Sequence, residues 1–268
     1  MSTATEADQQ SHAAIKSTFE RLIAWRDRLA DRAFVPAPCS ALAADDIDWP
    51  WMPASHLVWT GLACATDHLN SVRSHLESTE LFPFSSLTLS RSALLGAAQA
   101  VWILSPTDSA TRVKRARIVA AYIYKHRIRY LEGLEKLKQY DPAGTSQQLT
   151  HDRVRLADLE AKRLADGQNE ILNATNMIDS ATKAVFVGRE TLHQEALLAW
   201  QAGSGAAHGQ LWPHFNTGAM KQTEAGDGTG MASFTVGGTF SVMASPYLAA
   251  FELAKRGWSL LDYRGSKR

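Results

Sequence analysis

The sequence predicts an all-α protein, a multi-helix bundle with a long projecting antiparallel helical hairpin. Three observations carry that expectation. Apolar residues recur every three or four positions through most of the 268 residues, which is the mark of amphipathic helices. No series of alternating strands is visible; one short extended piece is expected at 232–236. Two long, strongly charged stretches, 109–140 and 146–178, flank the turn Asp141-Pro142-Ala143-Gly144, and the second has only a narrow apolar seam of Leu149, Leu156, Leu159 and Leu164. A narrow seam suits a helix with one partner, so 109–178 is expected to form the hairpin.

Taken in order, residues 1–10 are polar and are expected to form a disordered tail, with 11–268 as a single domain. Ile15, Phe19, Leu22, Ile23, Trp25 and Leu29 predict a first helix over 11–34, ended by Pro36 and Pro38 because proline cannot continue a helix. Residues 36–53 read as a loop pinned to the bundle by Trp49 and Trp51. A second helix is expected over 54–79, carrying His68 and His75 two turns apart; two ligands alone make no metal site, which needs three or four. Residues 85–105 are apolar nearly all round and predict the central buried helix, yet they contain Arg91. A guanidinium there must reach solvent or a polar partner. Asp108 or Thr107 is placed to cap the next helix.

That helix holds Arg112, Lys114, Arg115, Arg117, Lys125, Arg127 and Arg129 with no acidic residue between, interleaved with Tyr122, Tyr124 and Tyr130. Basic and aromatic side chains together form a candidate nucleic-acid face; the competing expectation is a face paired with the acidic helix that follows. Residues 180–188 read as a short helix or connector, 189–202 as a helix, 216–238 as a glycine-rich loop, and 240–262 as the last helix.

Composition narrows the function classes. An apolar share of 45% and eight tryptophans are ample for a core, and a net charge of +1 excludes a general polyanion binder. Cys39 and Cys64 give neither a disulfide framework nor a zinc pattern and fit a reducing compartment. The N-terminus lacks a signal layout, and no apolar run comes near the roughly 18–20 residues of a membrane helix. A soluble cytoplasmic protein without membrane contact, metal or cofactor is the expectation.

The stretch 200–215, rich in small residues before His208 and aromatic after it, is the candidate site. Small residues permit close backbone approach, so His208 is expected at a tight helix crossing. Two segments carry a resemblance: Leu89-Ser90-Arg91-Ser92-Ala93-Leu94-Leu95-Gly96-Ala97-Ala98 with Trp102-Ile103-Leu104-Ser105-Pro106 and Arg112, and Ser204-Gly205-Ala206-Ala207-His208-Gly209. Together they resemble a group of mostly actinobacterial helical proteins, itself distantly similar to the HEPN superfamily of helical bundles found in toxins, ribonucleases and phage defence. The chain departs from both patterns. Leu95 stands where the group has an acidic residue after the arginine, and the superfamily's ribonuclease spacing of arginine, four to six residues, then histidine is absent. The nearest is Arg189 and His193, which read as a surface pair.

The resemblance implies a binding or regulatory module in a defence or toxin setting. An alternative is a metal-independent ribonuclease with His208 as acid or base and Arg91 stabilising an anionic transition state. Ser204 is a minor nucleophile candidate. A third reading is a structural or oligomerisation protein. RNA, a partner protein or a second copy of the chain are the corresponding partners.

Overall fold

The computed structural model describes residues 6–137, 142–215, 217–224, 226, 228–229 and 231–267. Among them the protein is an all-α multi-helix bundle with one small two-stranded ribbon. The N-terminal region forms two helices rather than one, α1 (Glu6–Lys16) and α2 (Phe19–Asp31). Ser17 and Thr18 donate their hydroxyls to the carbonyls of Ala14 and Ile15, each at 2.7 Å. Such local side-chain bonds compete with helix continuation and explain the break. Residues 6–10 belong to α1, which corrects the expected tail; residues 1–5 lie outside the described residues. The loop over 36–53 holds a short helix, α3 (Ala41–Asp46), capped by Ser40, whose hydroxyl accepts from the Ala43 amide. Trp49 packs on the core, whereas Trp51 is exposed and carries the Arg155 guanidinium 3.2 Å from its ring centroid.

The bundle is built on α4 (Ala54–Glu77) and α5 (Pro83–Leu104). These helices meet at Gly61 and Gly96, where a Cβ on Gly96 would lie 2.5 Å from the Gly61 carbonyl oxygen. α5 also packs against α6 (Ser109–Leu134), α8 (Ala174–Val185), α9 (Glu190–Ala207) and α10 (Phe240–Gly265). By length and composition α5 is apolar enough to cross a membrane, at 22 residues and a mean hydropathy of 1.3. This corrects the expectation that no run came near that limit. In the bundle it is the core helix, and more than half of that window is buried.

α6 begins as predicted, with the Asp108 carboxylate accepting from the Thr111 amide at 2.7 Å. α7 (Pro142–Ala165) packs against α6 with the chain direction reversed, as the pairs Lys125–Glu160 at 2.6 Å and Arg153–Glu132 at 2.7 Å require. The projecting hairpin over 109–178 needs two corrections. Ala116, Val119, Ala120, Ala121 and Tyr124 of α6 are part of the main core, so the pair starts inside the bundle. The expected helix 146–178 stops at Ala165, and Ala174–Val185 is the separate α8, lodged on α5 and α9. Within 216–238, β1 (Met220–Glu224) and β2 (Ser233–Val236) pair antiparallel with Gln222 opposite Phe234. That is one strand more than the sequence indicates.

α10 closes the bundle, and its fully buried Tyr247 hydroxyl sits 2.7 Å from Thr18 Oγ1. Thr18 donates to Ile15, so the tyrosine is the donor between them and ties the α1–α2 junction to α10. Burial pushes the Tyr247 hydroxyl up from 10.0 to about 12. A raised folded value means that this contribution is complete below the unfolded value and is lost as pH rises through the folded one. Urea unfolding between pH 9 and 12 is expected to show a loss of about 2 kcal/mol, with a slope of about 1.4 kcal/mol per pH unit between the two values. Tyr247→Phe should flatten that part of the curve.

Candidate functional site

The α5–α9 crossing brings two of the predicted site residues together. Gly203 has no Cβ, and one placed there would lie 2.5 Å from the Arg91 Cβ and 2.9 Å from the Leu87 carbonyl oxygen. α9 therefore approaches closely enough for Arg91 to lie across it. Arg91 Nε donates to Ser204 Oγ at 2.8 Å, and the guanidinium stands 4.3 Å from the Trp200 ring centroid. Ser204 in turn donates its proton to the Trp200 carbonyl at 2.8 Å. Burial lowers the guanidinium from its ordinary value. The serine hydroxyl thus accepts from a cation and gives its proton to a backbone oxygen. That arrangement locks a crossing and leaves no base to activate a nucleophile.

His208 is elsewhere. α9 ends at Ala207, His208 is its C-cap, and Gly209 follows with φ of 70°. The Gln210 amide donates to the Gly205 carbonyl at 2.9 Å and the Gly209 amide to Ala206 at 3.0 Å, which is the Schellman ending of a helix. His208 is exposed, not at the tight crossing expected of it, because the helix stops one residue before it. The close approach falls to Gly203 and Gly205 instead. Among the described residues no hydrogen bond or ring contact joins His208 to Arg91. The surface pair expected of Arg189 and His193 is also corrected. His193 is buried, its Nδ1 is 2.8 Å from Thr182 Oγ1, and its Nε2 is 3.3 Å from Asp179 Oδ1. Hydroxyl, imidazole and carboxylate stand in the order of a catalytic triad. Thr182 is fully buried, however, and its hydroxyl lies 2.8 Å from the Ile178 carbonyl, so no substrate reaches it.

The candidate nucleic-acid face is occupied by the protein itself. Arg112 is buried and clasps Asp45, with Nε on Oδ2 at 2.6 Å and Nη2 on Oδ1 at 3.0 Å. Arg117 is buried and pairs with Asp48 and Asp166. Lys114 meets Glu170, Lys125 meets Glu160, and Arg127 meets Asp152. Arg115 donates to the Trp102 carbonyl at 2.6 Å. Of the seven, Arg129 alone has no such partner among the described residues. Burial works against the Asp48 carboxylate, but hydrogen bonds from Arg117 and Lys162 outweigh it and hold the group below its ordinary value. The charge stripe read along 109–131 is therefore engaged at six of its seven residues, with Arg112 and Arg117 buried and Lys125 and Arg129 exposed.

An open surface does exist between α9 and α10. Two adjoining cavities, of about 240 and 300 Å³, share Glu195 and Ser245. Leu198 lines the first and Leu192 the second, 61% and 38% exposed respectively. Glu195 lies between these leucines, exposed and without an ion pair among the described residues. Pro246 sits inside α10 and lines the first cavity with Val242. A proline has no amide hydrogen, so the Val242 carbonyl lacks its helical donor. The charged side chains lining the two cavities are Glu195, Glu252 and Arg189, set among apolar side chains.

No protein-family model, no curated protein and no solved structure matches this chain.

The groove escapes a reading of the sequence because α9 and α10 are far apart in the chain, and their facing rows meet only in the fold. One signal was available: Leu192, Glu195 and Leu198 at three-residue spacing place exposed apolar and acidic side chains close together on one face. Among the described residues no three histidine, cysteine, aspartate or glutamate side chains gather as metal ligands would.

Proposed function

We propose that this chain is a HEPN-like helical module that works by binding a partner protein, which docks an amphipathic helix into the α9–α10 groove. The observation that carries this reading is the exposed Leu192–Glu195–Leu198 row above adjoining apolar cavities. Exposed contiguous apolar surface marks interaction sites, and helix-in-groove recognition uses apolar anchors at helical spacing. Charge chooses the occupant. Of the charged side chains lining the cavities, Glu195 is exposed between the two leucines and has no ion pair among the described residues, while Glu252 is paired with Lys255 and Arg189 lies over Phe186. The partner helix therefore presents lysine or arginine to Glu195 between its apolar anchors. The ribonuclease reading has less support: Arg91 holds Ser204, His208 lies at a helix end, and six of the seven track residues are engaged within the fold. The defence or toxin setting implied by the resemblance is compatible with a module that binds and regulates another protein.

A display selection of random helix-length amphipathic peptides against the purified chain tests the reading. Enriched sequences are expected to combine apolar residues at helical spacing with lysine or arginine. Leu198→Asp should abolish their binding. Glu195→Lys should weaken it at least tenfold and be rescued by peptides in which the basic residue is replaced by glutamate. Equal enrichment on wild type and Leu198→Asp, or metal-free RNA cleavage lost in both Arg91→Ala and His208→Ala, would overturn it.

A further inference from the structure

His214 is a buried titratable group that nothing above employs. It is 0% exposed in the 3-10 turn Trp212–His214, and its ring meets Phe84 of α5 edge to face at 4.7 Å. Neither ring nitrogen has a hydrogen-bond partner among the described residues. The turn is latched onto α9 by shape. Gly205 leaves room for Trp212 and Pro213, whose side-chain atoms would lie 2.5 and 2.8 Å from a Cβ at that position. Beyond the turn, Thr217 Oγ1 donates to the His214 carbonyl at 2.7 Å. Pro213 and Thr217, on either side of this histidine, both line the 240 Å³ cavity of the groove.

We propose that His214 makes this turn an acid-released latch, holding one wall of the α9–α10 groove in place near neutral pH and letting it go when the ring is protonated. The inference rests on the groove reading for its consequence, the loss of bound partner in acid, but not for the latch itself. A buried imidazolium needs acceptors for both N–H groups or a nearby carboxylate. None faces it. On α5 the only charged side chain is Arg91, held by Ser204 and Trp200. On α9, Glu190, Glu195 and the C-cap His208 are exposed, and His193 is engaged by Thr182 and Asp179. On α4, His75 lies against Phe82 rather than His214. On α10 the first acidic residue is Glu252, at the far cavity. Burial alone acts on His214, and it moves the group below its ordinary 6.5. A depressed closed-state value means that closure is fully favoured above the open-state value and is lost as pH falls below it.

The test is amide exchange of His214 and Phe215, whose N–H groups donate within the turn to Leu211 and Trp212 at 3.0 and 3.1 Å. After correction for intrinsic rates, their protection is expected to fall severalfold between pH 7.5 and 5.5, towards the roughly tenfold limit that one group with an open-state value of 6.5 allows. In His214→Phe, which keeps the ring and cannot be charged, the change should stay below twofold. Should that variant fold poorly, histidine-selective NMR of the wild type gives the same answer, since ring protonation must coincide with loss of protection. An ordinary titration of His214 with the turn still protected, or equal loss in a well-folded His214→Phe, overturns the proposal. Affinity for a display-selected peptide should weaken over the same pH range in wild type only. Failure to select any peptide removes the groove reading and leaves the exchange result to decide the latch.

Discussion

Arg112→Ala is expected to lower unfolding stability by about 3–5 kcal/mol, the usual result of removing one partner from a buried ion pair. The guanidinium is 3% exposed and Asp45 2%. Arg112 also donates through Nη1 to the carbonyls of Thr107 at 2.8 Å and Pro106 at 3.2 Å. Truncation therefore leaves a buried carboxylate unneutralised and takes a donor from two backbone oxygens. The linked elements are distant in sequence: α3 holds Asp45, α6 holds Arg112, and α10 reaches the same Pro106 carbonyl through Arg264 at 2.8 Å. Such a loss is a large part of the roughly 5–15 kcal/mol typical of a folded domain. Urea unfolding with an unchanged m-value measures it. The double variant Arg112→Met, Asp45→Leu should recover much of the loss, because apolar replacement of a buried pair is often neutral or better. A loss under about 1 kcal/mol would return Arg112 to the pool of available cations. The neighbouring Asp48 supplies a pH signature. Its lowered value means that its contribution is present above the ordinary 3.8 and disappears as pH falls through the folded value.

Gly96→Val should cost about 3 kcal/mol, the upper end for overpacking. The reason lies in what the new side chain meets. A Cβ on Gly96 would stand 2.5 Å from the Gly61 carbonyl oxygen, and one on Gly61 would stand 2.7 Å from the Gly96 oxygen. Both obstacles are backbone, which has no rotamer by which to yield. Relief requires α4 and α5 to separate, and α5 is packed on five other helices. The milder pair Gly61→Ala and Gly96→Ala should be markedly sub-additive, since the separation forced by the first makes room for the second. Additive losses in thermal unfolding would show that the helices absorb each change locally.

The sequence by itself determined the class of the fold and the course of most helices. Spacing of three and four located α4, α5 and α10 to within a few residues, and Asp108 was legible as a cap, because these are local properties of the chain. Local rules missed the break at Ser17–Thr18 and the division of 146–178, where short-range side-chain bonds and tertiary docking compete with periodicity. The site was legible in part. Arg91 had to reach solvent or a polar partner, since a guanidinium in an apolar helix must, but nothing local chose between them or named Ser204. His208 was misjudged because glycines mark both close crossings and helix ends, and only the backbone path shows which. The charged stripe of α6 is the clearest case of what tertiary structure decides. Seven cations along one helix read either as a surface for a polyanion or as a face paired with the acidic helix that follows, and which they are depends on where Asp45, Asp48, Asp152, Glu160, Asp166 and Glu170 come to lie. Burial and pairing are properties of the packed chain, set by contacts between segments 25 to 69 residues apart, and no pattern along a single helix contains them.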